Sequence, residues 1–149
     1  MMLPTYKMMT ITLNRTIPAA PAEVYEAWID PATPGTPWAR SECEKVILDA
    51  RLDGLYYFKR VSPDGVEFPH FGRFVVLERA KKIEYTWMSP FTHGIESVVT
   101  VELERKGEDT LLQLRHANLP DDETGRMHNA GWIDRVDSLV EGFQARRKR

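Results

Sequence analysis

The chain has one cysteine in 149 residues, Cys43, which rules out an intrachain disulfide and any cysteine-based metal cage. It has no surplus charge, with 20 Lys and Arg against 22 Asp and Glu for a net of −2, so no global field draws it to nucleic acid or to an anionic membrane. It also lacks any apolar run approaching the ~20 residues needed to cross a bilayer, and no basic region followed by an apolar core stands at its start. The four histidines, His70, His93, His116 and His128, include no pair at short ligand spacing. No metal site and no cofactor is therefore expected. The serines have no GxSxG setting, and Cys43 has no nearby histidine or helix N-terminus to activate it, so no catalytic constellation is recognisable. The closing Arg146-Arg147-Lys148-Arg149 suits the negative end of a helix and a solvated tail. These absences describe a cytoplasmic protein with one core, read as a single domain over residues 1–149.

What is present is periodic. Residues 8–17 alternate as a strand, with Met9, Ile11 and Leu13 on one side. Pro21 then opens a short helix with Val24, Tyr25, Trp28 and Ile29 on its apolar face, and Asp30-Pro31 ends it. Pro31, Pro34, Gly35 and Pro37 exclude a sheet interior and suggest a turn or a second short helix before Trp38. From Glu42 to His116 extended runs recur between turns at Leu52-Asp53-Gly54, Ser62-Pro63-Asp64-Gly65, Arg79–Lys82, Ser89–Gly94 and Lys106–Asp109, giving a meander of about six strands.

Period-two parity sorts the faces. Ile83, Tyr85 and Trp87 oppose Glu84 and Thr86; Val99, Val101 and Leu103 oppose Thr100 and Glu102; Leu112, Leu114 and His116 oppose Gln113 and Arg115. Phe74 and Val76 are expected inward opposite Arg73, and Tyr56 and Phe58 inward in a strand that is apolar on both faces. The exposed alternates Leu55, Tyr57 and Val75 form a possible homodimer surface. A final helix starts at Pro120-Asp121-Asp122-Glu123, where carboxylates cap free amides, and carries His128, Trp132, Val136, Leu139, Val140 and Phe143 on one stripe. Its roughly 25 residues would span about 37 Å, enough to cross the sheet. Gly131 interrupts this helix at a cost of up to ~1 kcal/mol relative to Ala, which close approach of the helix backbone to the sheet or to a ligand would explain.

The residues resemble the domain related to the C-terminal part of the activator of the Hsp90 ATPase, within the START and Bet v 1-like helix-grip superfamily. The resemblance covers nearly the whole chain and rests on Ile17 to Trp28 (IPAAPAEVYEAW), Asp64-Gly65 with Gly72-Arg73-Phe74, Ile83 to Trp87 (IEYTW), Thr110 to His116 (TLLQLRH) and Gly131-Trp132. The chain differs from the family in carrying Trp38-Ala39 where an aromatic pair followed by Gly-Pro is usual, and Asp53-Gly54 in place of paired glycines. The resemblance implies an α+β helix-grip fold: a curved antiparallel sheet of six to seven strands around the long C-terminal helix, with one or two short helices after strand one. It also implies a cavity between sheet and helix. The inward set would line it: Phe58, Phe74, Tyr85, Trp87, Val99, Leu112, Trp132 and Val136, with Val101 and Leu114 beside them and His116 as a polar handle. The function this implies is binding of a hydrophobic small molecule. The same fold leaves open a chaperone partner of Hsp90 type or another protein-interaction module, and a cyclase- or hydratase-like enzyme using the same cavity.

Overall fold

The structure is a computed structural model that describes residues 7–148, so the first six residues of the chain and Arg149 of the basic tail lie outside the described residues. Strands β1 (Met8–Ile17), β2 (Glu44–Leu48), β3 (Leu55–Val61), β4 (Glu67–Glu78), β5 (Lys82–Trp87), β6 (Ser97–Lys106) and β7 (Asp109–Pro120) form one sheet in the order β1-β7-β6-β5-β4-β3-β2. Every pairing is antiparallel. Strands β2 to β7 are thus the expected meander, and β1 closes it by pairing beside β7, with Leu13 opposite Leu114 and Ile11 opposite His116. Helix α1 (Pro21–Trp28) follows β1, and helix α2 (Glu123–Arg147) follows β7.

Parity holds along most of the sheet because partners across strands share a face. Tyr85 pairs with Val99 and Val99 with His116, all three fully buried, while Glu84, Thr100 and Arg115 form the opposing row. Tyr56 and Phe58 are buried on the inner face, as expected. Val76 is not. The register slips between Phe74 and Val76, so Val76 stands opposite outward Glu84, and Leu77, opposite Ile83, packs on the core instead. A bulge adds one residue to one strand and reverses parity beyond it, and nothing in the alternation announces it.

Residues 31–42 form successive turns, so a single helix, α1, follows strand one. The segment is anchored by Trp38, whose Nε1 donates to the carbonyl of Trp28 at 2.8 Å and satisfies one of the open carbonyls at the end of α1. Its indole then inserts between Tyr85, Tyr56 and Phe74, with ring centroids 5.0, 5.2 and 5.6 Å away. Gly35, at φ +91°, brings the loop onto α2: a Cβ there would stand 2.7 Å from the Leu139 amide nitrogen. Close approach to the helix backbone therefore occurs at Gly35 and not at Gly131, where an added Cβ meets nothing within 4 Å.

Helix α2 starts at Asp122, whose side chain accepts from the Gly125 amide at 2.9 Å. It buries Trp132, Val136, Leu139 and Phe143 against the sheet. Ion pairs from Arg15 to Asp137 (2.8 Å) and from Arg147 to Asp109 (2.9 Å) tie its outer flank to the sheet. Among the described residues, no helix is long and apolar enough to cross a membrane.

Two glycine substitutions separate these roles. Gly35→Ala combines a left-handed backbone with a backbone clash and is expected to cost at least about 2 kcal/mol in urea unfolding. Gly131→Ala is expected to be neutral or to gain up to ~1 kcal/mol. Equal effects of the two changes would contradict the contact assigned to Gly35.

Candidate functional site

The inward rings divide into two groups. Phe58, Phe74, Tyr85, Val99, Leu112 and Val136 are each fully buried, and with Trp38 among them they form closed packing. Trp38 occupies the space that the sequence reading assigns to a cavity beside Phe74 and Tyr85. Nearer the start of α2 the helix and sheet form a solvent-open pocket of about 220 Å³. Its walls are Trp87 from β5, Arg60 from β3, His70 from β4, Phe91 from the short 3₁₀ turn Pro90–Thr92 and Pro37 from the loop. Helix α2 supplies Met127, His128, Gly131, Trp132 and Arg135. Of the residues expected to line a cavity, Trp87 and Trp132 stand on this wall, and the others form the layer behind or beside it.

Trp87 and Trp132 meet at 5.3 Å between ring centroids. His70 stacks on Phe58 at 4.7 Å and abuts Trp87 at 5.1 Å, because Phe58 and His70 are direct partners on the same face of β3 and β4. The 3₁₀ turn that presents Phe91 is fixed by a reciprocal cap: the Ser89 hydroxyl accepts from the Phe91 amide (3.0 Å) and the Thr92 hydroxyl from the Ser89 amide (3.2 Å).

Behind the rings runs a buried polar relay. The Trp132 Nε1–H donates to His116 Nδ1 at 2.9 Å, His116 Nε2 lies 2.8 Å from the Ser97 hydroxyl, and that hydroxyl donates to the Trp87 carbonyl at 2.6 Å. An indole nitrogen can only donate, so Nδ1 must be the acceptor and the proton sits on Nε2, donated to Ser97. His116 is thereby fixed as the neutral tautomer with both nitrogens engaged. Burial, and after it the neighbouring His128, hold its pKa well below the usual imidazole value. It is a positioning group for Trp132, directly behind the pocket wall.

The two imidazoles on the wall are neutral as well. His70 donates from Nδ1 to the Phe68 carbonyl (2.9 Å), and burial brings its pKa down to about 4. His128 donates to the Gly125 carbonyl (3.0 Å) and is lowered chiefly by burial. Positive charge comes from two arginines. Arg135 is ion-paired with Glu42. Arg60 is half-buried, donates to the Pro37 carbonyl at 2.9 Å, and lies 5.5 Å from the centre of the Phe58 ring. Burial draws its pKa down, the mark of a charge that has lost water without matching compensation. The Trp87 Nε1–H is buried without a hydrogen-bond acceptor among the described residues. No cluster of three or more His, Cys, Asp or Glu suited to a metal occurs among them either.

Arg60 and His70 were not among the residues singled out from the sequence. The signal was available: Arg60 follows Tyr56 and Phe58 at period two, which places it on the same inner face, and His70 is two residues before Gly72 and four before inward Phe74. An arginine in an inward aromatic row is an anomaly that strand parity alone exposes.

Residues 18–144 match the family model described as activator of Hsp90 ATPase homolog 1-like protein. Among solved structures, CV1439 of Chromobacterium violaceum is similar at 24% identity and a TM-score of 0.75, over 90% of this chain and 96% of that one. Mll3558 of Rhizobium loti is similar at 20% identity and a TM-score of 0.77, over 93% and 99%. CalU16 of Micromonospora echinospora is similar at 22% and 0.64, over 89% and 74%. These likenesses carry the fold. No curated protein matches the chain.

The neutral histidines set a pH dependence. An imidazole with a folded pKa below its unfolded value of ~6.5 binds fewer protons in the native state, so stability falls as pH drops below ~6.5 and continues to fall until the folded pKa is reached. Each such group adds up to about 1.4 kcal/mol per pH unit to that slope. For His70 the window runs from ~6.5 down to about 4. Urea unfolding at pH 7.5, 6 and 5 is expected to show a steep loss, and His70→Phe to flatten it by about one proton. An unchanged slope in that variant would mean that His70 is charged in the fold.

Proposed function

The chain belongs to the activator of Hsp90 ATPase homolog 1-like family, and we propose that it binds an apolar, ring-containing small molecule in the pocket beneath the N-terminal half of α2. The observation that carries this reading is Gly131. A glycine in the middle of a long helix sacrifices up to ~1 kcal/mol, and here no neighbouring backbone requires it. What it does is keep open the wall of a pocket whose other sides are Trp87, Trp132, Phe91, His70 and His128. Ring walls with a few polar groups are the usual composition of a small-molecule site. The volume of about 220 Å³ lies between the ~150 Å³ of an engineered cavity that holds benzene and the roughly 300–1,000 Å³ of sites for drug-sized molecules, so it suits one or two fused rings.

Ligand contact is assigned to Trp87 and Trp132 together with Phe91, His70, His128 and Arg60. Phe58, Phe74, Tyr85, Val99, Leu112, His116 and Val136 hold these in place. An enzymatic reading built on His116 loses support from the relay, because its one basic lone pair is already taken by Trp132. The chaperone reading has the family description behind it, and the exposed Ile47, Leu55 and Phe71 on the outer face of β2 to β4 are the surface such a partner would use.

A thermal-shift screen against lipids, sterols, polyketides and flavonoids, with native mass spectrometry for retained molecules, tests the proposal. A ligand ~100-fold above its dissociation constant adds about 2.7 kcal/mol, or roughly 5–10 °C for a chain of this length. Gly131→Leu, whose side chain enters the pocket from an uncrowded Cβ, is expected to fold and to lose the shift. A full shift in that variant, or no shift and no retained molecule in the parent protein, would overturn the reading.

A further inference from the structure

We propose that the molecule taken by this pocket is an anion, an aromatic carboxylate in its simplest form, whose acid group pairs with Arg60 while its ring lies against Trp87 and Trp132. The inference rests on the pocket being a ligand site and adds the charge of what enters. Four of the ten lining residues are arginine or histidine and none is acidic. The histidines supply no positive charge, since burial holds both below the usual imidazole pKa. Of the two arginines, Arg135 has its carboxylate in Glu42.

Arg60 has none. Its guanidinium carries five N–H donors, and its one hydrogen bond among the described residues goes to the Pro37 carbonyl. The face of Phe58 and that single carbonyl hold the group at the wall. A half-buried cation without a direct ion pair is only partly compensated for the water it has lost. A carboxylate fits the remaining donors in a two-pronged arrangement, and charge-assisted bonds of that kind are about twice as strong as neutral ones. The rings supply the apolar contact, so neither charge nor shape alone satisfies the site.

Isothermal titration of the full chain at pH 7.5 with 2-naphthoate and with 2-naphthamide, equal in shape and different in charge, tests the inference. Naphthoate is expected to bind at least ten times more tightly. Arg60→Met should remove that preference by weakening naphthoate at least ten times more than naphthamide, and Arg60→Lys should keep part of it; circular dichroism establishes that both variants are folded. Equal affinity of the two probes for the parent protein, or equal loss of both in Arg60→Met, would overturn the anion inference and leave the pocket intact. Failure of both probes to bind at millimolar concentration would overturn the ring-binding reading and this inference with it.

Discussion

The arrangement of the molecule around its site depends on one hydrogen bond, from the Trp132 indole of α2 to His116 of β7. It is the point at which the helix is fixed to the sheet by direction as well as by area. Apolar packing at Val136, Leu139 and Phe143 would tolerate small rotations of α2, because dispersion contacts are individually weak and undirected. An indole N–H aimed at one lone pair does not. Since His116 donates its Nε2–H to Ser97, and Ser97 donates to the Trp87 carbonyl, the same bond links α2 to β7, β6 and β5 in sequence. Leaving any member of such a buried chain unpaired costs ~1–3 kcal/mol, so the relay selects a single rotation of the helix. That rotation is what faces Gly131 toward the pocket and stacks Trp132 on Trp28 at 6.2 Å.

The pocket occupies one end of the sheet because the turns between α1 and β2 fill the rest. Trp38 closes the space over Tyr56, Phe74 and Tyr85, and Gly35 lets the loop press against the α2 backbone near Leu139. The loop then reaches the rim of the pocket through Pro37, whose carbonyl holds Arg60. A segment that on sequence grounds is only a proline-rich break thus decides both how much of the inner face is solid and how the Arg60 guanidinium is presented. Its departure from the family pattern at Trp38-Ala39 falls at the residue that fills the core.

The sheet was legible from period-two alternation because each strand carries an unambiguous marker of parity. Glu84 in β5, Glu102 in β6 and Arg115 in β7 can only face water, which forces their neighbours inward, and α2 was legible from its stripe and its Asp122 cap. Parity failed at Val76, where a bulge adds a residue without altering composition. Site assignment was harder for a different reason. Phe74 and Trp87 share a face and a chemistry, and whether a ring lines a space or fills it depends on what comes across from another segment, here Trp38 over the first and Gly131 opposite the second. Arg60 and His70 could have been placed inward by the same alternation that placed Phe58. They were passed over because polar residues are ordinarily assigned to the outer face, which is the habit that conceals a site built from them.

Three features of this end of the molecule each run against local stability. Gly131 lowers helix propensity where no neighbour needs the space, Arg60 holds a half-buried charge with no direct ion pair, and the Trp87 indole N–H is buried without an acceptor among the described residues. Any one alone is tolerable, since proteins keep a few unpaired groups and an occasional helical glycine. Their convergence on a single pocket is harder to attribute to chance, because sequences are otherwise consistent across levels and break local rules chiefly where function requires it. The three costs are also complementary in kind: one creates room, and two leave donors without acceptors. Room bounded by rings, together with the open donors of Arg60, defines an occupant that is flat, apolar and acceptor-bearing, and such an occupant would offset the first two of these costs at once.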